Sequence, residues 1–292
     1  MPRPGHSGEC GSIRLAEVEA RVVEATDQDA VTTAIGVRLP ALHRYAPAFT
    51  AAHRTPLYGL APGRPSPAGS WLRWGAPDRE VLAVLERAEL LAALRDARPG
   101  AAAHTAAALL ADPALLGDPA TFWAELATGA GGVEATVLLL AAIASRTPRT
   151  DGPIPPDAGR LAAAADQWRA ALAACLPPGA LASAGAFADA GLDEDLWLSL
   201  MRASAEHTPT LTDATLVAER AARHPDSEDA LLLTAHLVTH PAGTGQNAAV
   251  RRHARALLEA ATALPQDERP SEIQKLRRAL VNAGDIDAAA RG

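Results

Sequence analysis

Apolar residues recur at helical spacing along most of this chain. Between residues 77 and 98 the leucines and valines fall on one broad face of a helical projection, a pattern typical of an amphipathic α-helix. In the second half the pattern becomes regular, and Pro, Gly or an acidic cap ends each apolar stretch. It predicts helices at residues 158–175, 179–190, 193–207, 212–224, 226–240, 245–264 and 271–283. Short connections between such helices favour antiparallel hairpins.

The first half of the chain is less regular. Residues 55–76 are rich in Pro and Gly and are predicted to be irregular. Pro40 is predicted to end the element before it, which runs to Val37 and fits either a short helix or a strand through Val31–Ile35. Further helices are predicted at residues 12–25, 41–53, 77–98, 101–111, 113–116, 119–128 and 133–145.

Pro and Gly also suggest how the chain is organised. Residues 147–158, TPRTDGPIPPDA, are the densest in Pro, Gly and charge and are predicted to be a linker. It would separate an N-terminal helical region, residues 12–146, from a helical-repeat region, residues 159–292. Residues 1–11 have no apolar core of a signal peptide and are predicted to be a flexible tail.

Composition supports an all-α fold and excludes several classes of protein. About 70 of the 292 residues are alanine, the strongest helix former. A net charge of −7 argues against nucleic-acid binding, and no apolar run reaches the length of a membrane span. Two cysteines without a CxxC pair favour a reduced, cytoplasmic protein. The strong preference for arginine over lysine is typical of a GC-rich bacterial genome, so single arginines are weak signals here.

A repeated spacing marks the last third of the chain, residues 193–290. Three small or apolar residues and a Pro follow one another at spacings of 4, 3 and 4, and the same series occurs again 40 residues later. The two series are Ala214, Ala218, Ala221 and Pro225, and Ala254, Leu258, Ala261 and Pro265. Upstream, Trp197 and Leu200 are three residues apart on the preceding helix. These residues resemble the tetratricopeptide repeat, although Ser204 stands where that repeat has Tyr and Pro241–Gly245 is an insertion. The resemblance implies a right-handed α-solenoid of helical hairpins, a fold that binds peptides and proteins.

A second, shorter resemblance lies in the first half. The sequences YAPAFTAAHRTPLYG at 45–59 and WLRWG at 71–75 are similar to accessory segments of large bacterial NTPase-type proteins. The chain has no GxxxxGK[ST] phosphate loop, so a nucleotide site would belong to another protein.

Two groups of polar residues are candidates for chemistry. His236 and His240 are four apart on one predicted helix, which suits a shared metal ion but equally suits two ordinary histidines, one of them capping the helix. Near residues 43–74, where the rare aromatic residues concentrate, a ligand pocket or an interface would draw on His43, Arg44, Tyr45, His53 and Tyr58. Packing of the aromatic rings inside a folded bend is the competing interpretation.

The sequence therefore predicts an all-α chain that acts as a non-enzymatic interaction module or scaffold for a protein or peptide. The alternative is an all-α enzyme or a small-ligand-binding regulator with its pocket near residues 43–74. No cofactor, metal, nucleic-acid or membrane partner is expected, and alanine-rich helix faces suit a homodimer. Candidate partner contacts are Trp71, Trp74, Trp197, Arg220, Arg251 and Arg255.

Overall fold

The fold is helical throughout the residues that the structure describes. A computed structural model describes residues 29–61, 65–149, 157–243 and 247–285. These residues form α-helices, one 3-10 helix and an isolated β-bridge between Arg149 and Ala190, with no longer strand among them. The prediction of an all-α chain is confirmed. Within the same four stretches no helix has the length and apolar character needed to cross a membrane.

Contacts along the chain separate two compact units. The first ends at Ala108 and the second begins at Leu109. This division falls ahead of the linker predicted at 147–158, most of which lies outside the described residues, as do the predicted tail at 1–11 and helix at 12–25. The predicted domain boundaries therefore stay a prediction.

The first unit contains short helices, several of which start at a Pro or an acidic cap. Ser66 Oγ accepts a hydrogen bond from the Gly69 amide at 3.1 Å, and Asp78 Oδ1 accepts one from the Glu80 amide at 2.9 Å. The helices are α1 Asp29–Tyr45, α2 Pro47–Ala52, α3 Arg54–Tyr58, α4 Pro67–Trp74, α5 Arg79–Val84, α6 Arg87–Arg95 and α7 Ala101–Ala111, which continues past the division.

Proline positions account for the main errors in the first half. The open choice at Val31–Ile35 resolves as helix, and α1 continues through Pro40, which was predicted to end it. A proline inside a helix costs about 3 kcal/mol, and packing of α1 against α2, α4 and α5 offsets that cost. Pro47 instead breaks the helix predicted at 41–53, because the residue before a proline disfavours helical dihedrals; Ala46 has φ −133° and ψ 55°.

Three other predicted boundaries are wrong. The segment 55–76, predicted to be irregular, contains most of α3 and all of α4. The single helix predicted at 77–98 is divided into α5 and α6 because Leu85 is extended, with ψ 145°. Residues 113–116 form turns rather than a helix. Each of these three boundaries depends on tertiary packing, which a local sequence pattern does not reveal.

A close approach of α1 to α4 organises the first unit. Gly36 is buried at the crossing, where a Cβ atom would lie 2.5 Å from the Pro67 carbonyl oxygen and 2.7 Å from Ser70 Cβ. Only glycine allows the two backbones to be this close. The face of α1 carrying Thr32, Gly36 and Leu39 is buried as a result, and the opposite face is exposed.

The second unit follows the predicted helices closely. Aspartate or serine caps start several of its helices; Asp193 Oδ1 accepts from the Leu196 amide and Ser227 Oγ from the Ala230 amide. The elements are α8 Pro119–Leu126, α9 Gly132–Arg146, α10 Ala158–Ala173, the 3-10 helix Ala182–Asp189, α11 Glu194–His207, α12 Ala214–Ala221, α13 Glu228–Thr239, α14 Asn247–Ala263 and α15 Ile273–Asn282. The 3-10 helix replaces the α-helix predicted at 179–190.

Packing in the last five helices connects each helix to its next neighbour but one. Helix α11 contacts α13, α12 contacts α14 and α13 contacts α15, while consecutive helices from α12 onward also pack together. Buried indoles from α8, α10 and α11 fill the core of this unit, Trp123, Trp168 and Trp197. Alanine at buried positions such as Ala218 and Ala261 keeps neighbouring helices close.

The crossing at Gly36 gives the first prediction. In an unhindered helix, Gly→Ala stabilises by up to about 1 kcal/mol, but Gly36→Ala should destabilise by about 1–3 kcal/mol because the added methyl meets backbone. The free energy of unfolding in urea measures this change. Gly243→Ala, at an exposed loop position, is the control for an added methyl that meets nothing, since no described atom lies within 4 Å of its Cβ position. Stabilisation by Gly36→Ala would contradict the close packing.

Candidate functional site

Two candidate partner contacts among the tryptophans lie in the core. Trp71 is fully buried; its Nε1 donates to the Ala76 carbonyl at 2.9 Å, and its ring meets His104 edge-on at 4.2 Å between centroids. Trp197 is fully buried as well, and its Nε1 donates to the Phe187 carbonyl at 3.0 Å. A side chain with no exposed surface cannot contact a partner in this conformation, so both residues are reassigned to the core.

Arg220, a third candidate contact, is also buried, with 4% exposure. Its guanidinium lies over the Trp197 ring, with Cζ 4.3 Å from the ring centroid, a cation–π arrangement. Glu194 pairs with it in bidentate fashion, through Nε at 2.9 Å and Nη2 at 3.1 Å. His224 Nε2 lies 3.2 Å from the same carboxylate.

The remaining N–H groups of Arg220 donate to backbone carbonyls at the end of the 3-10 helix and in the connection to α11. Nη1 donates to the carbonyls of Ala188 at 3.1 Å and Ala190 at 2.6 Å, and Nη2 donates to Leu192 at 3.0 Å. Together with the Glu194 pair, all five guanidinium donors are used. Arg220 is therefore a structural residue that satisfies carbonyls at the end of the 3-10 helix and in the connection to α11.

Arg251 and Arg255 connect α14 to the residues that follow α15. Arg251 Nη1 donates to the Ala283 carbonyl at 3.0 Å, and Arg255 Nε pairs with the buried carboxylate of Asp285. Arg251 also lines a cavity of about 270 Å³ with Leu237 and Val250. Arg255 remains half exposed, so both arginines have partners within the fold and retain some accessible surface.

The polar residues of the predicted pocket bind to groups nearby in the first unit. His43 Nδ1 lies 2.8 Å from the buried Tyr58 hydroxyl, within hydrogen-bond distance. Burial raises the pKa of Tyr58 above its usual value; a hydrogen bond with Thr50 and the charge of Arg54 lower it, and the charge of Asp78 raises it. The hydroxyl therefore stays protonated at neutral pH.

His53 bonds to a different partner from the His43–Tyr58 pair. Its Nδ1 lies 3.0 Å from the Phe49 carbonyl in the preceding turn, and its ring packs on Phe49 at 4.5 Å. The candidate pocket residues thus engage two separate sets of local partners. Whether they bind a ligand stays a prediction.

Two aromatic side chains near these residues face outward. Tyr45 at the end of α1 is 81% exposed, and Trp74 at the end of α4 is 61% exposed. The Arg44 guanidinium lies 3.8 Å from the Asp78 carboxylate, which connects the end of α1 to the segment following α4. Arg73 covers one part of the Trp74 ring at 4.8 Å. We call Arg44, Tyr45, Arg73 and Trp74 the aromatic surface.

His236 and His240 stack on one another at the end of α13, with ring centroids 4.4 Å apart. Burial lowers the pKa of His236 below its usual value, and the charge of His240 lowers it further; the Pro209 and Thr208 backbone and Glu206 act in the opposite direction. Within the described part of the chain, no group of three or more potential ligands is placed to hold a metal ion.

Comparison with protein-family models, curated proteins and solved structures finds no match to this chain. Its interpretation therefore depends on its own residues. Analysis of the sequence missed Arg73 and the Arg220–Glu194 pair. The pair is separated by 26 residues, so no local spacing could indicate it; the adjacency of Arg73 and Trp74 could have indicated the cation–π contact.

The five-bond arrangement of Arg220 gives a second prediction. Arg220→Ala should reduce the free energy of unfolding by about 3–5 kcal/mol, because it leaves a carboxylate and buried carbonyls without their donor. Arg223→Ala is the control: Arg223 is largely exposed and pairs with Glu219 one helical turn away, so its loss should cost under about 1 kcal/mol. Equal effects of the two variants in urea denaturation would contradict the structural role.

The lowered pKa of His236 predicts a loss of stability in mild acid. The unfolded chain binds a proton near the ordinary pKa of 6.5, which the folded protein resists. Unfolding therefore becomes more favourable as pH falls through that value towards the lower folded pKa, while the full stability is present above it. His236→Phe keeps a ring and removes the titration, so it should reduce the difference between urea midpoints at about pH 7.5 and about pH 5.5. An unchanged difference between the two urea midpoints would contradict the role of His236 in this loss of stability.

Proposed function

We propose that this chain is a non-enzymatic protein-interaction module whose partner contacts the aromatic surface. The observation that carries the proposal is the outward position of Tyr45 and Trp74, the last residues of two helices that pack against each other, each next to an arginine in the sequence. Trp, Tyr and Arg are the residue types that dominate binding energy at protein interfaces. Other large aromatics of the described chain, such as Trp71, Trp123 and Trp197, are buried in the core, so the exposure of these two is not a general property of its aromatic residues.

For the last five helices, we propose a right-handed stack of tetratricopeptide-like hairpins. Contacts from each helix to its next neighbour but one, α11–α13, α12–α14 and α13–α15, support this arrangement, since stacked hairpins contact one another in that order. Buried Ala218 and Ala261 support it too, because small residues allow adjacent helices to approach. In this proposal the stack serves as a scaffold.

The alternative, an enzyme or ligand-binding regulator near residues 43–74, has weaker support. His43 and Tyr58 are bonded to each other and His53 lies on a carbonyl of its own helical turn. Interaction through the aromatic surface uses side chains that project into solvent, so the geometry favours it.

Affinity purification of the tagged full-length protein from its native host tests the proposal. We expect a stoichiometric partner protein with the wild-type chain and at least about a tenfold loss of it with Tyr45→Ala/Trp74→Ala, since each hot-spot residue is worth about 2 kcal/mol or more. Leu138→Ala/Leu216→Ala, which truncates two exposed residues of the second unit, should retain the partner. Recovery of the chain alone, or equal recovery with both variants, would overturn the proposal. Circular dichroism checks that each variant folds.

A further inference from the structure

A long stretch of the first unit contains no carboxylate. Residues 30–77 include five arginines, Arg38, Arg44, Arg54, Arg64 and Arg73, and neither Asp nor Glu. The whole chain has 34 Asp and Glu in 292 residues and a net charge of −7, so a stretch of 48 would hold five or six on average. This stretch therefore carries five positive charges and no negative one in a chain that is acidic overall.

The exposed side of α1 presents part of this charge along a single face. Its exposed residues are spaced three or four apart, which places them on one side of a helix. We call them the outer face of α1: Ala30, Ala34, Val37, Arg38, Ala41, Arg44 and Tyr45. α4 packs against the other side at Gly36, and on the outer face Asp78 lies 3.8 Å from Arg44.

The arginines of this region are only partly neutralised by the fold. Arg44 lies 3.8 Å from Asp78, a distant pair, and Arg54 binds the Val84 carbonyl and Glu86. Among the described residues, no carboxylate pairs with Arg38 or Arg73. Exposed guanidinium groups without counter-charges repel one another and attract anions from solution.

We propose that the outer face of α1 binds an acidic segment of a partner protein. The inference rests on the proposed function and names the chemistry of the partner. Arginine forms bidentate hydrogen bonds with carboxylates, and Arg38 and Arg44 are about 9 Å apart along the helix axis. Two carboxylates three residues apart on a polyproline II segment lie on the same side, about 9 Å apart, so one such peptide engages both arginines.

The remaining surface favours a polypeptide over other anions. A membrane-bound helix embeds a broad apolar face about 5–10 Å deep, but α1 buries its apolar side against α4 and leaves alanine, Val37 and Tyr45 outside. Nucleic-acid binders carry a strongly basic domain charge, whereas residues 1–108 hold 12 arginines against 11 Asp and Glu. Alanine between the arginines lets a peptide backbone lie close, and Tyr45 provides an aromatic contact at the C-terminal end of this face.

Site-specific photo-crosslinking of the full-length protein in its native host tests the inference. A benzoylphenylalanine replaces exposed Ala41, between Arg38 and Arg44, and in a control it replaces exposed Ala260 on α14. Mass spectrometry then identifies what is joined to each position. We expect Ala41→benzoylphenylalanine to yield protein adducts at peptides rich in Asp and Glu. Adding Arg38→Glu/Arg44→Glu should reduce their yield about tenfold, because charge reversal repels an acidic partner.

The matched charge control is Arg169→Glu/Arg223→Glu, which reverses two exposed arginines of the second unit and should leave the yield unchanged. Protein adducts at peptides that are not acidic would overturn this inference and leave the proposed function standing. Lipid or nucleic-acid adducts, or no adduct above the Ala260 control, would overturn both. Equal loss with both pairs of reversals would also overturn the inference, since the effect would then reflect total charge.

Discussion

The buried guanidinium of Arg220 is the interaction on which the second unit depends. The end of the 3-10 helix and residues 190–193, which connect it to α11, carry the carbonyls of Ala188, Ala190 and Leu192, and carbonyls left unpaired inside a protein each cost about 1–3 kcal/mol. Arg220 satisfies three of them from α12 while its charge is balanced by Glu194. The planar, five-donor guanidinium is suited to this task, and lysine is not. One residue therefore connects a loop, the start of α11 and the Trp197 ring.

The first unit depends on a different constraint, which is space. Gly36 allows α1 and α4 to meet backbone to backbone, and that contact commits one side of α1 to the core. Tolerance of Pro40 in the middle of α1 follows from the same packing. The outer face is the side of α1 that α4 does not cover. The candidate interaction surface is thus a consequence of how the unit packs.

Sequence predicted the second unit well, since local signals dominate there. Caps at Asp193 and Ser227 and frequent alanine placed α11 and α13 within a residue or two of their observed bounds. In the first unit, Pro40 and Pro47 are identical in local chemistry, yet one lies inside a helix and the other begins one. Only tertiary packing distinguishes them. For the candidate site, the sequence indicated the aromatic segment but not which of its rings are buried: Trp71 and Trp74 are three residues apart, and only the second, as the last residue of α4, reaches solvent.

Arginine is abundant throughout this chain, so its frequency alone carries little information about function. The position of each arginine in the fold distinguishes its role. Arg220 is buried with every donor used, and Arg251 and Arg255 have partners in the fold, so these arginines are explained by stability. Arg38 and Arg73 are exposed in a stretch without carboxylates, where an added positive charge brings repulsion and finds no ion-pair partner among the residues that the structure describes. Fold stability does not explain that arrangement, whereas an anionic partner would supply the missing counter-charges.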